Sequence, residues 1–204
     1  AYSAKALGIA ATIFVPRTAP AVKRDGIAKL GATIDATSDD YDIAHGRAME
    51  HAEREGLAFI DPCNDATVIA GQGTAALEII EELPSVRTVL LPVGGAGLLA
   101  GFGSLLRAVA PTVRIAGAQG DRSNAMARSL EAGAVTPVPH DPTLADGLSG
   151  DIDEFALDIG RHALDLLAIV TEEEIDVIVD TLDEVMGVLD DLREGGRAVG
   201  VVSH

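Results

Sequence analysis

The chain has 204 residues, of which 48% are hydrophobic and only 3% aromatic, so it can bury a sizeable core of Ala, Val, Ile and Leu. Its formal net charge of −17 disfavours any contact with the phosphate backbone of a nucleic acid. No apolar run reaches the roughly 18 residues that a membrane span needs, no signal-peptide pattern is present, and the single cysteine, Cys63, fits a reducing compartment. These features predict a cytoplasmic protein that contacts neither nucleic acid nor membrane.

Lysine is scarce in this acidic sequence, with Lys5, Lys23 and Lys29 as its three examples. Such a composition is typical of proteins from salt-rich environments. A GC-rich genome that favours Ala, Arg, Gly and Asp produces the same bias. Composition leaves both explanations open.

Helical and extended periodicities alternate through the first third of the chain. Gly8, Gly31 and Gly56 each follow a helical pattern and are typical of helix C-caps, and Asp39 or Asp40 can cap the longest helix. The pattern predicts helices at residues 1–7, 21–30 and 40–55 and strands at residues 12–15, 32–36 and 57–60.

The same alternation continues to the end of the sequence. Asp65 starts a helix that Gly71 and Gly73 are expected to interrupt, and Thr171 with Glu174 has the pattern of a capping box. Because strands alternate with helices of ten residues or more, we predict an α/β fold with a mostly parallel sheet. The pattern places helices at residues 65–83, 98–109, 124–132, 155–167 and 172–192 and strands at residues 88–93, 113–118 and 198–202.

The most informative segment is the glycine-rich run from Leu90 to Gly101, where a buried strand ends, a tight turn follows and a helix begins. Unpaired backbone N–H groups at a helix N-terminus attract anions, and glycines let a phosphate approach closely. The run therefore predicts a phosphate site at residues 94–97. A turn that merely packs the helix against the strand is the alternative.

The spacing Gly95-x-Gly97-x-x-Ala100 also matches the dinucleotide-binding fingerprint. That fingerprint requires an acidic residue at the end of the next strand, where it binds the ribose. Here the predicted strand leads to Gln119, and Asp121 lies beyond it. A NAD-binding domain is therefore a less favoured alternative.

Two motifs in a fixed order carry a resemblance to a known family. The segment Ala70-Gly71-Gln72-Gly73-Thr74 is followed by Leu77-Glu78 and then by the loop Pro92-Val93-Gly94-Gly95-Ala96-Gly97-Leu98. Together they resemble the threonine dehydratase and serine racemase family of fold-type II pyridoxal-phosphate (PLP) enzymes, which are similar to the tryptophan synthase β subunit. The resemblance runs from Ala1 to about Val179 and includes further similar segments at residues 4–16, 143–147 and 170–175.

The resemblance implies a three-layer α/β architecture with a parallel sheet. Residues 1–62 would be the remainder of a small domain, and residues 63–204 a large, C-terminally shortened domain that binds the PLP phosphate. The family usually has glycine where this chain has Ala96, and a methyl group there costs roughly 1 kcal/mol or more if φ is positive. The implied cofactor-binding residues are those of the phosphate loop and one serine for the pyridine nitrogen: Gly94, Gly95, Ala96, Gly97, Leu98 and Ser203.

The activity implied by the resemblance is that of an L-threonine or L-serine ammonia-lyase (dehydratase), which acts on a small amino-acid substrate. The family's catalytic lysine lies upstream of the segment that matches Ala1, so we expect no catalytic residue in this sequence and an isolated chain that is inactive. A non-catalytic pseudoenzyme or subunit fragment is the alternative, and a serine racemase is less favoured. We expect a homo-oligomer or a complementing subunit.

No metal site is expected. Racemase-like members of the family bind a divalent cation through carboxylates, whereas the matching positions here are Gln119 and Ala125, which lack the anionic oxygens that such a cation prefers. The five histidines also show no metal-ligand spacing.

Overall fold

The computed structural model describes residues 1–139 and 141–178 of the chain. Its first five elements are α1 Tyr2–Leu7, β1 Thr12–Pro16, α2 Ala21–Lys29, β2 Thr33–Ser38 and α3 Tyr41–Glu55. The elements that follow are α4 Ala66–Glu82, β3 Thr88–Pro92, α5 Gly97–Val109, β4 Arg114–Gly120, α6 Ala125–Ala132, α7 Glu154–Ala163 and β5 Leu166–Val170. Short 3₁₀ turns lie at Asp121–Ser123 and Asp146–Leu148, and residues 172–178 are helical. The predicted strand at residues 198–202 and Ser203 lie outside the described residues.

The first sheet consists of β1 and β2, which pair in parallel with Thr12 opposite Thr33. Helix α3 packs against both strands. Its N-cap is Asp40, whose carboxylate accepts a hydrogen bond from the Ile43 amide at 2.8 Å, and Gly56 ends it with a φ of 65°. Local capping signals in the sequence therefore set both ends of this helix.

The predicted strand at residues 57–60 is wrong, because this segment has no strand conformation. Leu57 is 55% exposed and Ile60 is 69% exposed. A β-strand requires a neighbouring strand to satisfy its backbone groups, and none of the described strands pairs with this apolar run. The sequence of this segment by itself does not show whether a neighbouring strand will pair with it.

The second sheet has the order β3-β4-β5, with all neighbours parallel. Strand β5 corrects the predicted helix at residues 155–167, since α7 ends at Ala163 and the chain then pairs with β4, placing Leu166 opposite Ala116. The Asp165 amide starts this pairing by donating to the Ile115 carbonyl at 2.9 Å. A distant strand supplies these hydrogen bonds, so the local helical period did not reveal the change.

Helix α5 lies at the centre of the larger core, where Leu99, Leu106, Ile115 and Leu157 are fully buried. It packs most closely against α4. Contrary to the sequence-based expectation, the glycines of α4 do not interrupt that helix. Gly73 is instead a contact point, because it faces the backbone of α5 without an intervening side chain.

One ion pair joins an early helix to a later turn, because the Lys23 ammonium on α2 lies 2.7 Å from the Asp146 carboxylate. The Nε2 of His45 on α3 lies 2.9 Å from the carboxylate of Asp61, in the segment that follows this helix. No helix among the described residues is long and apolar enough to cross a membrane.

Candidate anion site at the glycine loop

The glycine loop has the predicted strand–turn–helix geometry. Strand β3 ends at Pro92, the Val93 amide still donates to the Ala118 carbonyl at 2.8 Å, and α5 begins at Gly97. The intervening residues therefore lie at the carboxyl ends of β3 and β4. In parallel α/β folds this is the edge of the sheet where ligands bind.

The backbone amides of the loop are the site's main polar groups. Among the described residues, none accepts a hydrogen bond from the amides of Gly94, Gly95, Ala96 or Leu98. Ala96 is only 5% exposed, so this unpaired N–H belongs to a residue that is largely removed from water. Buried amides rarely stay unpaired, and the positive end of a helix dipole lies at the same place. The loop thus has the donors and the field that an anion requires.

Ala96 takes the left-handed conformation that the family's glycine permits. Its φ is 66° and its ψ is 1°, and it is the one non-glycine residue with positive φ in the part of the chain that the structure describes. The methyl group at this φ costs roughly 1–2 kcal/mol. Ala96 therefore has the positive φ at which its methyl group is unfavourable, and this backbone strain lies within the candidate site.

The three loop glycines are fixed by close protein neighbours. A Cβ on Gly94 would lie 3.0 Å from the Leu148 Cα, and one on Gly95 would lie 2.7 Å from the Cys63 Sγ. A Cβ on Gly97 would lie 2.9 Å from the Pro62 oxygen. These glycines are thus needed for packing behind the loop, and they leave its amides free to face a ligand.

Cys63 and Leu148 were not predicted as parts of this site. Leu148 belongs to the 3₁₀ turn at Asp146–Leu148, more than fifty residues downstream of the loop, so only the tertiary fold brings it here. Burial raises the pKa of the Cys63 thiol, and the charges of Asp61 and Asp153 raise it further, whereas the Gly97 N–H partly offsets them. Cys63 is therefore a protonated packing group beside the loop at neutral pH.

Gln119 is buried, at 2% exposure, and uses both ends of its amide. Its Nε2 donates to the Val93 carbonyl at 3.2 Å, and its Oε1 accepts from the Ala127 amide at 3.1 Å. No group of acidic, histidine or cysteine side chains that could hold a metal ion occurs among the described residues. The uncharged side chain of Gln119, on β4, thus connects the end of β3 with α6 through two hydrogen bonds.

The lysines do not lie in the loop. Lys5 is on α1 and Lys29 is on α2, and the Lys23 ammonium is held by the Asp146 carboxylate. Ser203, predicted to contact the cofactor, lies outside the described residues. In the described part of the chain, the unpaired polar groups of the loop are therefore backbone amides and not lysine side chains.

Comparison with known proteins identifies the family. Residues 1–202 match the model of the family described as "Pyridoxal-phosphate dependent enzyme". The chain belongs to this family. It is 38% identical to an L-threonine ammonia-lyase of Thermotoga maritima over 208 residues, which cover 100% of this chain and 50% of that protein. The chain spans about half the length of the curated relatives that it matches.

Solved structures of the same family confirm the mixed α/β fold with parallel sheets. Maize serine racemase superimposes with a TM-score of 0.80 at 30% identity, covering 89% of this chain and 54% of the racemase. The processed threonine deaminase isoform 2 of Solanum lycopersicum superimposes with a TM-score of 0.72 at 32% identity, covering 81% of this chain and 48% of the deaminase.

The glycine loop fits the phosphate group of the family's cofactor. A phosphate needs several donors and no nearby bulk, and the unpaired amides of residues 94–96 and 98 meet the first need. The second need is met because the glycines carry no side chain and Ala96 only a methyl group. The chemistry of this donor set is that of an anion site.

Proposed function

We propose that this chain forms the cofactor-phosphate-binding part of a PLP-dependent ammonia-lyase that acts on L-threonine or L-serine. The observation that carries the proposal is the row of unpaired, partly buried amides at the start of α5. The names of the relatives support the reaction, because the T. maritima protein is an L-threonine ammonia-lyase and the S. lycopersicum protein a threonine deaminase.

In this proposal the amides of residues 94–96 and 98 bind the phosphate dianion, and the dipole of α5 stabilises its charge. Leu148 and Cys63 pack against the loop and leave no room for a side chain on Gly94 or Gly95. When bound, PLP supplies the electron sink, while the protein supplies binding and orientation. Ser203 would donate a hydrogen bond to the pyridine nitrogen of the cofactor.

The division at residue 62 belongs to the same proposal. Residues 1–62 would form the substrate-side domain and residues 63–204 the phosphate-side domain. The ion pair Lys23–Asp146 would then hold the first part against the second. We further propose that the protein works in the cytoplasm, as a homo-oligomer or with a complementing subunit.

A lyase is favoured over a racemase at this site. The positions that bind a divalent cation in racemase-like members hold Gln119 and Ala125 here, and the Gln119 amide is already engaged at both ends. A neutral amide that donates to one carbonyl and accepts from one amide does not supply the charged oxygens that such a cation prefers.

A titration with three ligands tests the phosphate site. We expect PLP to bind the 204-residue chain at least roughly tenfold more tightly than pyridoxal, which lacks the phosphate, a difference of about 1.4 kcal/mol. Inorganic phosphate should compete, and NAD should not bind. Equal affinities for PLP and pyridoxal would contradict the proposal, and tight NAD binding would favour the dinucleotide alternative.

A matched pair of loop variants sharpens this test. Asn and Asp both tolerate a positive φ, so Ala96→Asn and Ala96→Asp impose the same shape and differ in charge. Both variants add the same bulk, so the Asp variant should lose more of the preference for PLP over pyridoxal than the Asn variant, because only its carboxylate repels the phosphate. Equal behaviour of the two variants would mean that no anion binds beside residue 96.

An activity assay tests the expectation that this sequence contains no catalytic lysine. We expect no formation of 2-oxobutyrate from L-threonine by the 204-residue chain with added PLP, because a lost general base alone lowers rates by roughly 10²–10⁴-fold. Borohydride reduction followed by peptide mapping would reveal any lysine that has reacted with PLP. Stoichiometric labelling of Lys5, Lys23 or Lys29 together with oxo-acid formation would contradict the assignment.

A further inference from the structure

Asp61 makes several hydrogen bonds next to the glycine loop and has no role in the proposed cofactor binding so far. Its Oδ1 accepts hydrogen bonds from the amides of Cys63 and Asn64, both at 2.8 Å, and its Oδ2 lies 2.9 Å from the Nε2 of His45. Its side chain is 16% exposed. Burial by itself raises the pKa of Asp61, but these three hydrogen bonds outweigh it and hold that pKa below its ordinary value. Asp61 is therefore an ionised acid in a fixed position.

The turn that Asp61 holds is the rear wall of the glycine loop. A Cβ on Gly97 would lie 2.9 Å from the Pro62 oxygen and 3.0 Å from the Cys63 Cα, and one on Gly95 would lie 2.7 Å from the Cys63 Sγ. These contacts leave no free space between residues 62–63 and the loop. The position of the turn therefore limits the positions that the loop backbone can take.

A second anchor fixes the far end of the same turn. The Asn64 Nδ2 donates to the Asp153 carboxylate at 2.9 Å, and the other Asp153 oxygen caps α7 by accepting from the Ala156 amide at 2.8 Å. The turn is thus tied to α3 through His45 and to the start of α7 through Asn64. Both ties hold it against the loop.

The negative charge of Asp61 acts against anion binding at the loop, and His45 is the side chain that contacts this carboxylate. A carboxylate one turn behind an anion site repels the anion, and the Asp153 carboxylate adds to this field. His45 offers Asp61 a donor at 2.9 Å. The rings of Tyr41 and Phe59 pack beside His45, at centroid distances of 6.1 and 5.4 Å, and help to fix its imidazole in place.

We infer that Asp61 is a positioning residue for the phosphate: it shapes the glycine loop through residues 62–64, and the hydrogen bond from His45 to its carboxylate weakens the repulsion that an anion in the loop meets. This inference rests on the proposed phosphate site. It adds a residue outside the loop that controls cofactor affinity, and it connects α3 with that site.

The experiment measures PLP affinity by absorbance titration of the full 204-residue chain. We expect Asp61→Ala to weaken PLP binding at least about tenfold. The matched control is Asp35→Ala. Asp35 also accepts hydrogen bonds from a backbone amide two residues on, that of Thr37, and from a distant side chain, Arg47, but it lies on β2 away from the loop. The control should bind PLP like the parent.

Alkylation of Cys63 by iodoacetamide provides a second readout on the same samples. In the parent, bound PLP should slow alkylation because the thiol lies against Gly95. In Asp61→Ala the loosened turn should expose the thiol, so alkylation is faster and PLP protects it less. Asp35→Ala should leave both rates unchanged.

The pair His45→Ala and His45→Ala/Asp61→Asn separates positioning from general stability. The single variant leaves the Asp61 charge without its partner and should weaken PLP binding. The double variant removes that charge and keeps an oxygen for the two amides, so it should bind PLP more tightly than the single variant. A merely structural role predicts further loss in the double variant.

The outcomes are distinguishable from those of the proposed function. If the parent does not prefer PLP over pyridoxal, the proposed phosphate site fails. If the parent has this preference but Asp61→Ala binds PLP like Asp35→Ala, the inference on Asp61 is overturned and the phosphate site stands. If Asp61→Ala does not fold, the His45 pair decides, and no recovery in its double variant overturns the inference.

Discussion

Gly101 offers a direct test of how the glycine loop is supported, because it lies on α5, whose N-terminus forms that loop. A Cβ on Gly101 would meet the Gly73 nitrogen and the Ile69 oxygen, both at 2.6 Å. Carbon atoms in comfortable contact lie about 3.5–4.0 Å apart, so α4 and α5 would have to separate by about 1 Å. The opposing atoms belong to the backbone and cannot rotate away.

We expect Gly101→Ala to lower the free energy of unfolding by about 2 kcal/mol. Overpacking costs roughly 1–3 kcal/mol, and the rigid neighbours put this site at the upper end. Alanine recovers about 1 kcal/mol through its higher helix propensity. For a chain of this size the result is a Tm lower by roughly 4–8 °C.

Gly71→Ala is the matched control, because Gly71 is exposed on α4 and an added Cβ there has nothing within 4 Å. Only the propensity gain of about 1 kcal/mol applies to it, so its Tm should rise. Thermal and urea unfolding followed by circular dichroism measure both variants. If Gly101→Ala proved as stable as Gly71→Ala, the close α4–α5 contact would be refuted.

Three further predictions concern packing, pH and salt. Gly95→Ala should lower the unfolding free energy by about 1–2 kcal/mol through its clash with the Cys63 Sγ, and Cys63→Ala should restore most of it; strictly additive losses would argue against that contact. Asp165→Asn should lower the Tm at pH 7, because hydrogen bonds from Arg107 and the Ile115 amide hold the folded-state pKa of Asp165 below 3.8. That stabilisation exists above the unfolded-state pKa and is lost as the pH falls through the folded-state pKa. The Tm values of the parent and of Asp165→Asn should therefore converge in acid, and a Tm difference that does not change with pH would contradict this explanation. With a net charge of −17, the Tm should rise from low to molar KCl, and an unchanged Tm would count against adaptation to salt.

Signals that act within a few residues predicted much of the fold. The Asp40 cap, the left-handed Gly56 and the reciprocal capping box of Thr171 and Glu174 all occur where the sequence placed them. The strand–turn–helix at the glycine loop is of the same kind. In each case the group that satisfies the backbone lies in the same short segment, so the local pattern contains the answer.

The errors in the prediction occur where hydrogen bonds come from distant parts of the chain. Strand β5 exists because β4 offers it a ladder, and residues 57–60 are not a strand because none of the described strands pairs with them. The sequence predicted that the glycines of α4 interrupt the helix. Gly73 instead allows close contact with Gly101, nearly thirty residues away.

The sequence by itself determined the family, the parallel α/β class and the loop that fits a phosphate, because these depend on local spacing. Only the tertiary structure decided the positive φ of Ala96 and the wall that Cys63 and Leu148 form behind the loop. It also decided the link from His45 through Asp61 to that wall. These features depend on contacts between segments far apart in the chain, and no residue's own identity specifies which segment will lie against it.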